Sequence, residues 1–243
     1  MEIAEYEKMY HFEEKYWWWI GKRELIKGII DKFILKLDSG AILDVGCGTG
    51  MNLKYLEDYG AVIGLDSSKE ALDFCKIRGD KNLILGDAER LPFEDDAFDL
   101  ITALDLLEHI DDDKALKGFH RVLKPNSPLV LTVPAWSFLW SRHDEALHHK
   151  RRYSKGHLRD IMEANGFLIE KLSYWNFFLF LPIVAMRLMK RRSINQKVET
   201  DVEELPATIN RLLTFILRTE SYLIPHVNLP IGISLMCIGK TMK

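Results

Sequence analysis

The chain has 243 residues, which is enough for one large domain or for a domain with an added cap. Hydrophobic residues make up 47% and charged residues 28% of it, as in an ordinary folded, soluble protein. The formal net charge is −3, which argues against a dedicated nucleic-acid binder because such proteins usually carry a basic surface.

The cysteines and the N-terminus bear on the compartment. The three cysteines are far apart and match no metal-binding spacing, so we predict a reducing environment and no metal site. The N-terminal stretch is acidic and lacks the basic and apolar regions of a secretory signal. The longest apolar run, FFLFLPIVAM at 177–186, is too short to span a bilayer. These features predict a cytoplasmic protein.

The elements can be predicted in chain order. Residues 1–20 are rich in Tyr and Trp, and apolar residues at helical spacing follow over 21–37. From residue 41 onward strand-like and helix-like segments alternate, which predicts a parallel sheet with crossover helices. The predicted strands are 41–45, 61–65, 82–85, 98–103, 128–133, 167–175 and 232–240, and the predicted helices of this part are 51–59, 68–78, 112–123 and 155–165.

About fifty residues separate the last two predicted strands, far more than a normal connection. We therefore predict a single domain over 1–243 with an insertion before its last strand. Its parts are an N-terminal lid and helix at 1–38, a core at 40–175, a helical cap insertion at 176–226 and a final strand at 227–243.

Three glycines follow the first predicted strand, at Gly46, Gly48 and Gly50. Glycine is needed where the backbone turns tightly or approaches a ligand, and the following helix points free N–H groups at that ligand. Asp66 lies twenty residues after Gly46, at the end of the second strand, where a carboxylate can accept both hydroxyls of a ribose. A dinucleotide fingerprint would need glycine at position 51, which is Met51.

The motif ILDVGCGTG at 42–50 resembles the first motif of the class I S-adenosylmethionine-dependent methyltransferases, in particular the type 11-like, small-molecule group. Similar segments follow in order over about residues 40–175, namely VIGLDSS, LILGDAERLPFEDDAFDLI, FDLITALDLLEHI and RVLKPNSPLVLTVP. The resemblance implies an α/β, Rossmann-like fold with a mostly parallel seven-stranded sheet and helices on both faces. It also implies S-adenosyl-L-methionine as the cofactor.

The resemblance assigns roles to single residues. Asp66 would hold the cofactor ribose, Asp87 would accept from the adenine amino group, and Ala88 would offer its backbone amide. His109 has a direct role or a structural one at a helix start. The complete cofactor-binding set is Asp44, Gly46, Cys47, Gly48, Gly50, Asp66, Ser67, Asp87, Ala88, Leu104, His109, Trp19 and Arg23.

The stretch after the fifth strand, AWSFLWSRHDEALHHKRRYS at 135–154, overlooks the acceptor pocket in class I enzymes. His149 or His143 is our candidate general base, and Asp144 is our candidate for orienting an imidazole. Two alternatives stay open at this point. The arginines could grip an anionic acceptor, or the polar residues could cap the next helix and line a wet surface.

Two further segments are predicted to enclose the site. Trp17–Trp19 with Lys22 and Arg23 resemble the N-terminal lid of many small-molecule methyltransferases, although they could instead staple the first helix to the sheet. The insertion at 176–226 would cap the acceptor side. Its apolar helix and the basic residues through 192 predict a peripheral membrane contact over 176–192, with a buried helix or a dimer contact as the alternative.

The sequence thus predicts methyl transfer to a small-molecule or lipid-like acceptor, at oxygen. A Pro-Pro-aromatic motif of DNA amino methyltransferases is missing from ALDLLEHI, and the paired glutamates of protein-arginine enzymes are also missing there. Nucleic acid is therefore disfavoured as a partner. An RNA-directed enzyme using the basic segment 142–152, and a cofactor-binding protein without methyl transfer, remain as alternatives.

Overall fold

Seven strands form one sheet in the computed structural model of the chain, which describes residues 3–34, 40–191, 200 and 202–243. They are β1 Ala41–Val45, β2 Ala61–Asp66, β3 Leu83–Leu85, β4 Leu100–Leu104, β5 Pro128–Pro134, β6 Phe167–Trp175 and β7 Ser234–Thr241. The order is β3-β2-β1-β4-β5-β7-β6, and β7 runs antiparallel to both of its neighbours while β1 to β5 are parallel. The prediction of a mostly parallel seven-stranded sheet is confirmed.

Helices connect and flank the strands. They are α1 Ile3–Phe12, α2 Trp17–Phe33, α3 Met51–Leu56, α4 Lys69–Arg78, α5 Asp112–Val122, α6 Arg142–Ala146, α7 Lys155–Ala164, α8 Phe180–Arg191 and α9 Ala207–Leu223. Every residue of β5 is buried, as expected for a central strand whose two faces are both covered by helices. The core therefore lies on both sides of the sheet, and the carboxyl ends of β1, β2, β4 and β5 meet at one edge.

The second helix starts earlier than its periodicity predicts. A helix was expected over 21–37, but α2 begins at Trp17 and ends at Phe33, and residues 35–39 lie outside the described chain. The Trp18 ring packs on Trp175 of β6, with ring centroids 4.7 Å apart. Packing the partly buried Trp18 ring on the fully buried Trp175 gains more than the few tenths of a kcal/mol that an aromatic residue costs in a helix, so the triplet becomes the first turn of α2.

The insertion packs on the N-terminal helix as well as on the sheet. A Cβ placed on Gly21 of α2 would lie 2.5 Å from Cδ1 of Leu217, so glycine lets α9 approach α2 closely. The Ser221 hydroxyl donates to the Gly21 carbonyl over 3.0 Å. The buried carboxylate of Glu220 accepts the backbone N–H groups of residues 176–178, which fixes the start of the insertion to α9.

The first insertion helix, α8, lies against the segment that follows β5. The Arg187 guanidinium donates to the Leu139 carbonyl over 3.1 Å, and Phe180 packs with Leu139 and Ile233. The basic group at 190–192 lies outside the described side chains. None of the helices in the described parts of the chain is long and apolar enough to cross a bilayer.

Candidate active site

The glycine loop turns sharply at the carboxyl end of β1. Gly46, Gly48 and Gly50 have φ angles of +72°, +57° and +88°, in the left-handed region that only glycine enters without strain. A Cβ on Gly46 would lie 2.9 Å from Cδ1 of Leu106, in the loop that follows β4. The glycine loop is thus in direct contact with the β4 loop.

Asp66, the last residue of β2, is locked to the glycine loop. Its two carboxylate oxygens accept the backbone N–H groups of Gly48 and Ser68, each over 2.9 Å. Burial raises the pKa of Asp66, while these two hydrogen bonds act in the opposite direction. Each oxygen keeps a further lone pair, so the carboxylate can also accept hydroxyl donors from a ligand.

Asp44, the last residue but one of β1, has one oxygen in a hydrogen bond and one without a partner in the described chain. Oδ1 accepts the Thr102 hydroxyl over 2.6 Å, whereas Oδ2 is buried and has no hydrogen-bond partner within the described chain. Burial raises the pKa of Asp44 to about 7. An orphaned buried acceptor beside a glycine loop fits a ligand that brings a donor, as the ammonium group of S-adenosylmethionine would.

Helix α1 covers the glycine loop. The methyl group of Met9 lies 3.1 Å from the Cβ position of Gly48, and the Thr49 hydroxyl donates to the Glu13 carboxylate. Arg78 of α4 pairs with the same Glu13 carboxylate over 2.7 Å. Helix α1 therefore covers this loop and is held at its C-terminal end by an ion pair.

The tryptophans and Arg23 lie at the junction between α1 and α2. The Arg23 guanidinium donates to the carbonyl groups of Glu13 and Glu14, and Trp19 packs against the Tyr16 ring. These contacts stay within the N-terminal segment, and the contact of Trp18 with Trp175 attaches the segment to the sheet. The predicted contact of Trp19 and Arg23 with the cofactor stays a prediction.

The remaining cofactor candidates line the same edge. The Cys47 N–H donates to the Leu65 carbonyl over 3.1 Å, and Ser67 follows Asp66 directly. Asp87 is exposed after β3 and accepts the Glu89 N–H over 2.8 Å. Ala88 next to it is buried, and Leu104 ends β4.

The loop after β4 carries charged groups into the interior. Asp105 pairs with Lys22 of α2 over 2.5 Å and accepts the Thr132 hydroxyl over 2.8 Å. Glu108 is fully buried, and neither of its carboxylate oxygens has a hydrogen-bond partner within the described chain. Burial, reinforced by the nearby Asp105 carboxylate, raises the pKa of Glu108 well above its usual range.

In the segment after β5, Asp144 is hydrogen-bonded to His149 rather than to His143 among the two candidate histidines. Nδ1 of His149 lies 2.9 Å from Oδ1 of Asp144. The Arg152 guanidinium donates to both carboxylate oxygens of Asp144, over 2.7 and 3.0 Å. Burial alone would raise the pKa of Asp144, but His149 and Arg152 hold it well below its usual range. Asp144 thus holds the His149 imidazole by a hydrogen bond, while the catalytic roles of both residues stay predictions.

The loop after β4 and the segment after β5 contact each other. The His109 and His149 ring centroids are 4.7 Å apart, and burial together with His149 lowers the pKa of His109 to about 4. His143 is more remote, with its centroid 6.3 Å from that of His149. Arg151 and Arg152 pair with Asp112 and Asp144, so internal contacts account for the two arginines that were alternatives for gripping an anion.

Sequence reasoning missed several of these groups. Glu108 and the Glu13–Arg78 pair that closes α1 were given no role in the site. Lys22 was named only with the lid, and Arg152 only among the arginines that could grip an anion. The only signal for Glu108 was its place beside His109 in LEHI. The signal for Arg152 was its position in the basic stretch after the histidines.

Comparison with known proteins agrees with this geometry. A family model described as a methyltransferase domain matches residues 43–131. An uncharacterized protein of Methanocaldococcus jannaschii is 32% identical over 164 residues, covering 66% of this chain and 68% of that protein. A ubiquinone biosynthesis O-methyltransferase of Coxiella burnetii is 31% identical over 131 residues, covering 48% of this chain and 56% of that enzyme.

A solved structure from Thermotoga maritima, described as an S-adenosylmethionine-dependent methyltransferase and possible histamine N-methyltransferase, superposes with a TM-score of 0.62. It covers 98% of this chain and 96% of that one at 18% identity, a likeness that shows the fold alone. The chain spans about half the length of several curated relatives that it matches, between 40% and 56%.

Proposed function

The chain belongs to the class I S-adenosylmethionine-dependent methyltransferases, and from this premise we propose that it transfers a methyl group to a hydroxyl oxygen of a small-molecule or lipid-like acceptor. The family uses S-adenosyl-L-methionine, which supplies an electrophilic sulfonium methyl when bound. The protein's main task is then to align the acceptor with that methyl, which can lower the barrier by about 7–11 kcal/mol in favourable cases.

We propose that residues at the carboxyl edge of the sheet bind the ribose, the ammonium group and the adenine of S-adenosylmethionine. Asp66 would accept the ribose hydroxyls, and the orphaned oxygen of Asp44 would accept from the ammonium group. Asp87 would accept from the adenine amino group, and Ala88 would offer its backbone amide. These assignments rest on the order of the motifs and on the free acceptor atoms at the carboxyl edge of the sheet.

One observation carries the proposal. Leu106 lies on Gly46 of the cofactor loop, and the same short loop continues into Glu108 and His109, which meet His149. A polar cluster with an oriented imidazole therefore adjoins the cofactor loop. We propose that this cluster faces the acceptor and that His149, positioned by Asp144, acts on the acceptor hydroxyl.

Two observations support an oxygen acceptor with lipid character. The Coxiella burnetii relative is named as an O-methyltransferase of ubiquinone biosynthesis. In addition, the insertion presents large apolar side chains to solvent, with Leu181 and Tyr222 each 76% exposed and Phe215 68% exposed. Arg187 holds α8 of this insertion against the segment that leads to the histidines.

A labelled-methyl assay tests the proposal. The chain is incubated with methyl-labelled S-adenosylmethionine and with separate metabolite, lipid and RNA fractions, and labelled products are identified by mass spectrometry. We expect label in an oxygen-methylated metabolite or lipid. His149→Gln should lower this activity at least tenfold, whereas His157→Gln, at an exposed position on α7, should not change it.

Two results would contradict the proposal. Label in the RNA fraction alone would favour the RNA-directed alternative. Calorimetric binding of S-adenosylmethionine with no labelled product in any fraction would favour a cofactor-binding protein without methyl transfer.

The membrane contact over 176–192 is a separate proposal, supported by the exposed apolar side chains of α8 such as Leu181 and Met189. The native chain should cosediment with vesicles that contain anionic lipid. Leu181→Ser should weaken this binding more than Leu168→Ser, which changes an exposed leucine on β6. Equal cosedimentation of both variants would place the contact elsewhere.

We also propose a cytoplasmic location, supported by the three cysteines being buried free thiols.

A further inference from the structure

Three potential metal ligands converge beside the cofactor loop. Glu108, His109 and His149 each offer one ligand atom, and these atoms all lie within 4.8 Å of one another. Glu108 and His109 come from the loop after β4, and His149 comes from the segment after α6. The N–H of Lys150 donates to the Glu108 carbonyl over 2.7 Å, so the backbone itself holds the two segments together.

Glu108 is the least satisfied member of this cluster. Its side chain is fully buried, and both carboxylate oxygens lack a hydrogen-bond partner within the parts of the chain that the structure describes. A buried carboxylate without a partner is costly, and proteins normally pair such a group or use it to coordinate a metal. The space beside these oxygens is occupied by two imidazoles, which are themselves metal ligands.

Both imidazoles have one ring nitrogen engaged by the protein. Nδ1 of His149 is bound to Asp144, and the His109 ring is hydrogen-bonded to the backbone of His148. Metal-binding histidines typically use one nitrogen in this way, which fixes the ring and leaves the other nitrogen for the metal. Asp144 is held in turn by Arg152, so the orientation of the His149 ring also depends on Arg152.

We propose that Glu108, His109 and His149 bind one divalent first-row transition-metal ion, of the Zn²⁺ or Mn²⁺ kind. Two imidazole nitrogens and one carboxylate are a donor set that such ions prefer over Ca²⁺ or Mg²⁺. Three protein ligands also leave coordination positions open for another molecule. The cysteine spacing that predicted no metal site does not bear on this set, because no cysteine belongs to it.

The use of the ion rests on the proposed function. An acceptor hydroxyl that occupies an open position would have its pKa lowered by the ion and would lose its proton to solvent water. The resulting oxygen attacks the sulfonium methyl, so a C–O bond forms while the methyl C–S bond breaks. The products are a methyl ether and S-adenosylhomocysteine. His149 then acts on the acceptor as a ligand of the ion.

Titration with Co²⁺ tests the site without requiring activity. The untagged chain is stripped with a chelator, and Co²⁺ is added while the visible absorption of the ion is recorded. Zn²⁺ is then added in competition. We expect one Co²⁺ per chain, displaced by Zn²⁺. Glu108→Gln, His109→Gln and His149→Gln should each weaken binding at least tenfold.

Matched controls are available nearby. Glu145→Gln on α6 and His157→Gln on α7 change exposed residues of the same types and should leave Co²⁺ affinity unchanged. Each variant is also titrated with S-adenosylmethionine by calorimetry. Retained cofactor binding shows that a variant is folded and separates failure of the metal site from failure of the proposed function.

The outcomes are decisive for the metal site. Absence of one-to-one Co²⁺ and Zn²⁺ binding by the native chain would overturn the proposal. Unchanged affinity in all three ligand variants would also overturn it, because the ion would then bind elsewhere.

Discussion

On the cofactor side of the sheet, the carboxylate of Asp66 is met by backbone N–H groups. On the acceptor side, the buried carboxylate of Asp144 is met mainly by charged side chains, and that of Glu108 by no group within the described chain. Asp66 accepts from Gly48 and Ser68. Beyond the glycine loop, Asp144 is bound by Arg152, His149 and one backbone N–H, that of Ser141, whereas the Glu108 carboxylate has no hydrogen-bond partner within the described chain. Both regions lie at the same edge of one sheet, yet they satisfy their charges differently.

This difference means that the cofactor side is preformed, whereas the acceptor side is incomplete. Backbone donors are fixed once the strand and loop are formed, so Asp66 is oriented before any ligand arrives. A buried side-chain cluster depends on every member being satisfied, and an unsatisfied member marks either a cost or a missing ligand. The acceptor side is therefore where removal of single groups should have the largest effects on stability.

Arg152→Met gives the largest expected effect. The Arg152 and Asp144 side chains are almost completely buried, and removing one partner of a buried pair costs about 3–5 kcal/mol. Urea unfolding measures this loss. Arg218→Met removes an exposed arginine that pairs with Glu24, and should cost less than about 1 kcal/mol. Equal small losses in both variants would mean that Asp144 is satisfied without Arg152.

Gly46→Ala should have the next largest effect and measures how tightly the two regions touch. The positive φ at Gly46 costs an alanine about 1–2 kcal/mol, and the contact with Leu106 adds about 1–3 kcal/mol of overpacking. Gly79→Ala, at the end of α4, has a φ of +99° but no atom within 4 Å of the new Cβ, so it carries only the first cost. Equal destabilisation of the two variants would show that Leu106 moves aside freely.

Features that depend on a short stretch of sequence could be predicted, whereas features that depend on contacts between distant segments could not. The glycine loop and the position of Asp66 at the end of the second strand are encoded within short stretches, so motif order and spacing were sufficient to place them. The sequence placed Asp144 near His143 and His149 but left open which of the two it contacts. The start of α2 depends on Trp18 reaching Trp175, a contact that no local pattern contains. Glu108 is buried without a hydrogen-bond partner in the described chain only because the segments after β4 and β5 meet. In the sequence it is simply a glutamate before a histidine.

Asp66→Ala tests the preformed side directly. Loss of a charged hydrogen-bond partner should weaken S-adenosylmethionine binding by about 1.5–3 kcal/mol, measured by calorimetry. Asp73→Ala removes an exposed carboxylate from the outer face of α4 and should leave the affinity unchanged. An unchanged affinity in Asp66→Ala would place the ribose away from this carboxylate.

Asp87→Ala should have the smallest effect. It tests whether a second carboxylate on the cofactor side, besides Asp66, binds the cofactor directly. Asp87 is exposed and already accepts the Glu89 N–H, so its bond to the adenine amino group competes with water and should be worth about 0.5–1.5 kcal/mol. A cofactor product analogue with oxygen in place of the amino group lacks that donor. The native chain and Asp87→Ala should therefore bind this analogue equally, while they differ for S-adenosylhomocysteine. A similar loss for both ligands would show that Asp87 acts by shaping its loop, because a change in loop shape cannot distinguish an amino group from an oxygen.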